Sequence, residues 1–186
     1  MDNGEASYRR FRDNGDERGL DEIIIAYKDG LMLYLTGIVG SIHTAEELTE
    51  DTFVLLGTKK PKYKGKSSFK TWLYAIGRNL AIDRLRKEKR HPRVSLDDLP
   101  EQAGETDAVE AAYFRKERQI LLHRAMRKLK PEYQQVLELV YFENLSSREA
   151  AEVMQKSVRG LESVLYRAKK ALRSQLESEG YDNETM

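Results

Sequence analysis

Between Lys59 and Arg93 the sequence carries thirteen Lys and Arg residues against only Asp83 and Glu88, a local balance of +11 in a chain whose total is +1. Charge segregated in this way implies a polyanionic partner. Tyr63, Phe69, Trp72 and Tyr74 are interleaved with the cations. Lysines neutralise phosphates and aromatic faces receive unstacked bases, which is how proteins hold opened or single-stranded nucleic acid. A solvated basic helix around a buried Trp accounts for the charge alone. It leaves unexplained the punctuated loop before that helix, Pro61 to Ser68, with Gly65 and the Ser67-Ser68 pair. Within the helix, Asn79 suits a base edge and Arg78 and Arg86 suit phosphates or guanines, with Asp83 among them.

A second cationic set lies further along. Between Lys156 and Arg173 six basic residues stand against Glu162 alone, a balance of +5. Arg159, Glu162, Ser163, Tyr166, Arg167, Lys169 and Lys170 fall on one side of a helix whose other side is Val158, Leu161, Leu165, Ala168 and Leu172. A basic second helix after a tight turn is what insertion into a DNA major groove requires. A third charged set is acidic: Glu46, Glu47, Glu50 and Asp51 share an exposed helix side. Solvation and the helix dipole account for such acids unless another feature supplies a partner.

Catalysis and metal binding find little support. Gly65-Lys66-Ser67 looks like the end of a phosphate-binding loop, but Lys60 stands where that motif needs a Gly and no strand precedes it. His43, His91 and His123 are scattered rather than at ligand spacings, and Asp97-Asp98 falls in a linker. With no Cys, thiolate sites and disulfides are excluded. No cofactor and no enzymatic activity are expected.

The elements that position these residues read as helices throughout. Leu20, Ile23, Ile24, Tyr27, Leu31, Tyr34, Leu35 and Ile38 make one apolar face, ended by Gly37 and Gly40. The next helix is expected to open at Thr44, spaced to Glu47 as a capping box, with Leu48, Thr52, Leu55 and Leu56 inward and Phe53 beside them. After a serine cap, Phe69, Trp72, Leu73, Ile76 and Leu80 form the stripe of the basic helix. His91-Pro92 should stop it. Val94 to Glu110 holds six acids and no Lys or Arg, the composition of a flexible linker. Beyond it, Pro131 suits the first turn of a helix, Ser146 and Glu149 form a capping box, and Ser157 caps the basic helix after a short turn at Gln155-Lys156, together a helix-turn-helix. The expected fold is all-α: two small helical domains, 1–92 and 113–186, joined by an acidic linker over 93–112. The polar first residues lack the apolar run of an export signal and no window is long and apolar enough to span a membrane, so a cytoplasmic protein without membrane insertion is expected.

At this point the residues resemble a known family, the extracytoplasmic-function (ECF, group 4) sigma factors, small two-domain initiation subunits of bacterial RNA polymerase. The resemblance is carried by AEELTEDTF at Ala45 to Phe53, FKTWLYAIGRN at Phe69 to Asn79, DRLR at Asp83 to Arg86, LKPEY at Leu129 to Tyr133, Glu149-Ala150-Ala151, and ESVLYRA at Glu162 to Ala168. It implies that Glu46, Glu47, Glu50, Asp51 and Phe53 dock on core RNA polymerase. It implies that the loop with Lys62, Tyr63, Lys64, Lys66, Ser67 and Ser68 pockets a flipped −10 base, while Lys70, Arg78, Asn79, Asp83 and Arg86 hold adjacent promoter DNA. The recognition helix would read the −35 element through Arg159, Glu162, Ser163, Tyr166, Arg167, Lys169 and Lys170. The family also implies an anti-sigma factor as a partner. The alternative, a stand-alone helix-turn-helix regulator, explains only the second domain; a nuclease lacks a catalytic constellation.

Overall fold

The computed structural model describes residues 3–90, 122 and 124–178, and among these every regular element is helical. The first unit is four helices: α1 (Asn3–Asn14), α2 (Glu17–Val39), α3 (Ile42–Lys59) and α4 (Phe69–Arg90). α2 packs against each of the other three. It ends where expected, at Gly40, whose left-handed backbone (φ 77°) lets its N–H reach the Thr36 carbonyl at 2.8 Å. Gly37 remains inside the helix.

One expectation changes here, and one element is added. Ser41, not Thr44, caps α3: its hydroxyl accepts the Thr44 N–H at 3.3 Å, so the cap lies three residues earlier than the Thr44–Glu47 spacing suggests. The polar N-terminal stretch is also a helix. Its only large apolar residues, Tyr8 and Phe11, are buried, and the Tyr8 hydroxyl donates to the Pro61 carbonyl at 2.7 Å. That bond ties α1 to the start of the basic loop.

The second unit begins with helical residues at 124–127, followed by α5 (Pro131–Leu137), which runs into a π turn over Glu138–Phe142. There the Glu143 N–H returns to the Glu138 carbonyl at 2.9 Å, five residues back. Left-handed Asn144 (φ 55°) then breaks the helix. Helix α6 (Ser147–Met154) opens on the Ser146–Glu149 capping box, with both reciprocal bonds formed. Gln155 (φ 54°) turns the chain, and Ser157 caps α7 (Val158–Ser178) by accepting the Gly160 N–H at 3.1 Å. α6, turn and α7 are a helix-turn-helix. The acidic linker read over 93–112 lies outside the described residues.

Two small separate cores were the natural expectation, yet the buried apolar cluster runs on from Leu35 and Tyr74 to Val136, Leu139 and Val153. α2 touches α5 and the π turn, and α4 touches α6. Close approach of α2 depends on two glycines a heptad apart. A Cβ on Gly37 would lie 3.3 Å from Cβ of Gln134, and one on Gly30 would collide with the Glu143 carboxylate and lie 2.6 Å from the Tyr74 hydroxyl.

Candidate nucleic-acid interface

Pro61 to Ser68 is held by aromatics rather than by regular structure. The Tyr63 ring lies 5.7 Å from Phe69 and 5.2 Å from Trp72, and its hydroxyl donates to the Ser67 carbonyl. Tyr8 closes the same stack, 5.3 Å from Trp72, and burial pushes its hydroxyl pKa up to about 12, so it stays a neutral donor. Against this support the loop forms a cavity of about 320 Å³ lined by Lys62, Tyr63, Lys64, Lys66, Ser67, Trp72 and Glu152. Five of these seven are loop residues read from the sequence. Trp72 is half-buried, so it serves both the core and the cavity wall. Glu152 comes from α6, and no local signal marked it. Ser68 turns its hydroxyl to the start of α4, accepting the Thr71 N–H at 3.2 Å, as the cap read from the sequence.

Along α4 the sequence-identified residues take different directions. Asp83 and Arg86 are exposed and paired at 3.4 Å. The Nε of Arg78 is buried, and its guanidinium lies beside the Tyr34 hydroxyl of α2, which burial holds above the ordinary tyrosine range. Arg78 thus presents only part of its fork outward. Lys70 and Asn79 face the second unit. The Lys70 ammonium meets the Glu143 carboxylate at 2.5 Å and its carbonyl at 2.9 Å, and Asn79 Oδ1 accepts from Gln155 Nε2 at 3.0 Å. Between them the Thr71 hydroxyl reaches Glu149 at 3.5 Å. Hydrogen bonds from Ser146, its hydroxyl first, hold the Glu149 carboxyl below its ordinary pKa despite partial burial.

Behind this seam lies a buried acid. Glu138 is 6% exposed; burial, and then the charge of Glu143, push its carboxyl up to about 7. The Tyr74 hydroxyl is raised by burial first and by Glu143 second.

On α3, Glu46, Glu50 and Asp51 are exposed. Glu47 is shared with the molecule itself, 3.5 Å from Arg84 of α4 and from His43. Phe53, read as part of the same docking set, is 6% exposed and belongs to the core. On α7, Arg159, Glu162, Ser163, Tyr166, Arg167, Lys169 and Lys170 are all exposed, while Leu161, Val164 and Ala168 are buried. Val158, expected inward, is 41% exposed because it opens the helix. Lys169 lies 5.3 Å above the Tyr141 ring, a cation–π contact that pins its stem. Among the described residues no group of acids and histidines is arranged to hold a metal, and no helix is long and apolar enough to cross a membrane.

Comparison with known proteins places this geometry. The family model for sigma-70 region 2 matches residues 23–91, and that for sigma-70 region 4 matches residues 119–172. The ECF RNA polymerase sigma factor SigW of Bacillus subtilis is 30% identical over 172 residues, spanning 87% of this chain and 91% of that protein. SigM of the same organism is 31% identical over 155 residues, 83% and 93% of the two chains. Among solved structures, the sigma factor RpoE of Bartonella quintana, in complex with the anti-sigma factor NepR, superposes with a TM-score of 0.66 at 18% identity over 84% of this chain and 96% of that one. CnrH, in complex with the cytosolic domain of CnrY, does so at 0.61 and 19% over 94% and 95%. The fold is therefore that of sigma factors, and the identity and coverage make the chain a member of the ECF RNA polymerase sigma factor family.

Proposed function

We propose that this chain is a transcription initiation factor that binds core RNA polymerase, recognises −35 and −10 promoter elements and promotes melting of the DNA. The observation that carries the reading is the loop cavity, where Lys62, Lys64 and Lys66 surround an aromatic wall and leave room of about 320 Å³ for an extruded base. In this reading residues 1–92 form the polymerase- and −10-binding domain, 93–112 the linker and 113–186 the −35-binding domain. Lys62 to Ser68 select the flipped base, while Lys70, Arg78, Asn79, Asp83 and Arg86 hold adjacent DNA. Arg159, Glu162, Ser163, Tyr166 and Arg167 face base edges in the major groove, with Lys169 and Lys170 toward the backbone. Glu46, Glu47, Glu50 and Asp51 meet polymerase, and buried Phe53 fixes the helix that presents them. The chain works in the cytoplasm, has no catalytic chemistry of its own, and is held inactive by an anti-sigma factor.

Reconstituted transcription with core polymerase, start sites mapped genome-wide, tests this directly. Specific starts dependent on the chain are expected, with duplex promoter binding weak alone and tight with polymerase. Tight, sequence-specific binding without polymerase and no effect on initiation would establish a stand-alone regulator instead.

A further inference from the structure

The loop cavity owes its outline to a helix that takes no part in lining it. The loop leaves α3 at Lys60, a non-glycine residue in the left-handed region (φ 43°), a conformation that persists only where the surroundings enforce it. Phe11 of α1 supplies one restraint, its ring lying beneath the Lys60 ammonium with 4.6 Å to the centroid. One turn away on the same side of α1, the hydroxyl of buried Tyr8 donates to the Pro61 carbonyl at 2.7 Å. The same ring reaches the far end of the loop, 5.4 Å from Phe69 and 5.3 Å from Trp72. One side chain therefore joins the two ends of the loop, and the Trp72 it abuts is a wall of the cavity. α1 comes this close because residue 4 is glycine: a Cβ there would lie 2.5 Å from the Phe69 ring and from the Tyr27 hydroxyl. Away from the loop, α1 is tied to α2 by the Ser7 hydroxyl and the Arg10 guanidinium, which both donate to Glu22.

We propose that Tyr8 is a positioning residue for −10 base selection: from outside the cavity, its hydroxyl and ring set the distance between the start of the loop and the Trp72 wall. This rests on the reading of Lys62 to Ser68 as the base-selecting loop, and it adds what fixes the shape of that loop before a base enters. The lysines attract any strand, whereas discrimination among bases depends on a pocket held in shape in advance. Loosening one end of the loop removes no cation, so it lowers discrimination more than affinity.

Tyr8→Phe keeps the ring stack and removes only the donor to Pro61. The full chain, assembled with core RNA polymerase, transcribes a promoter library randomised across the −10 and −35 elements, and sequencing of the transcripts gives the base preferences. In Tyr8→Phe the strongest −10 preference should fall by about three-fold or more, the worth of one hydrogen bond, with −35 preferences unchanged. Ser7→Ala removes a bond of the same helix that points away from the loop, and it should leave both sets of preferences as they are. A second readout needs no polymerase. Trp72 is the only tryptophan, so acrylamide quenching of its fluorescence reports on the cavity wall in the chain alone. Quenching should rise in Tyr8→Phe and not in Ser7→Ala. Unchanged −10 preference or unchanged quenching in Tyr8→Phe, or an equal change in Ser7→Ala, would each overturn the positioning role. A Lys62→Gln, Lys64→Gln, Lys66→Gln variant separates the two claims. If it alters −10 use while Tyr8→Phe does not, the loop stands and the role of Tyr8 falls; if it transcribes the library as the wild type does, the loop assignment itself falls.

Discussion

At the scale of single residues, the proposed recognition helix should divide its labour along its length. Arg159 and Glu162 lie near its capped start and are exposed, whereas Lys170 lies two to three turns further on. Replacing Arg159 or Glu162 should change which −35 sequence is used, with about 1–3 kcal/mol of discrimination lost per good base contact. Lys170→Gln should weaken all sequences alike and flatten the slope of log K against log salt by about 0.9 if one phosphate contact is lost. A promoter-variant panel at several salt concentrations checks both, and the reverse pattern would mean a different docking. Glu138 makes a second residue-scale prediction. Its pKa is about 7 in the folded chain against an ordinary 4.5, so the folded state holds the proton more tightly. The stability it contributes is fully present below about 4.5 and is lost as pH rises through about 7. Burial disfavours its ionised form first, and the charge of neighbouring Glu143 does so second. Glu138→Gln retains a neutral side chain of similar shape, so its Tm should exceed that of the wild type by more at pH 8 than at pH 5. A difference independent of pH would show that Glu138 is already ionised.

At the scale of elements, the helices that could be read were those with local punctuation. The Ser146–Glu149 box, the Ser157 cap, Gly40 and the break at Asn144 are written within a few residues of where they act, and each forms. Ser146→Ala should cost about 1 kcal/mol in denaturant unfolding, since it removes the oxygen that accepts the Glu149 N–H. α1 was not legible because the partners of its buried Tyr8, Trp72 and the Pro61 carbonyl, are over fifty residues away. The partner of Arg78 was not legible for the same reason: only the fold brings Tyr34 beside it. The cavity residues of the loop were legible from composition, and Glu152 was not, because a lone acid on an exposed helix face carries no sign of what it meets. On α3, Glu50→Lys and Asp51→Lys should weaken association with core polymerase while leaving Tm unchanged. Glu47→Lys should in addition lower stability by about 0.2–1 kcal/mol, because it sets a cation against Arg84. Polymerase affinity unchanged by all three would return the acidic face to solvation alone.

For the whole molecule, a continuous core means that the two units should unfold together. Calorimetry of the full chain should give one transition with matching calorimetric and van't Hoff enthalpies, and Gly30→Ala, which forces Glu143 out of its slot, should split it into two. Two transitions in the wild type would mean that the seam adds little to cooperativity. The π turn at Glu138–Phe142 has a different kind of consequence. It carries one residue more than an α-helical path needs, and each residue of an α-helix rotates the chain beyond it by roughly 100°. Deleting one residue within it would close the turn into ordinary helix and swing α6 and α7 around the α5 axis as a rigid pair, keeping every bond inside the helix-turn-helix. The bearing of α7 is thus set by chain length at one point, and a single-codon insertion or deletion there would re-aim it in one step.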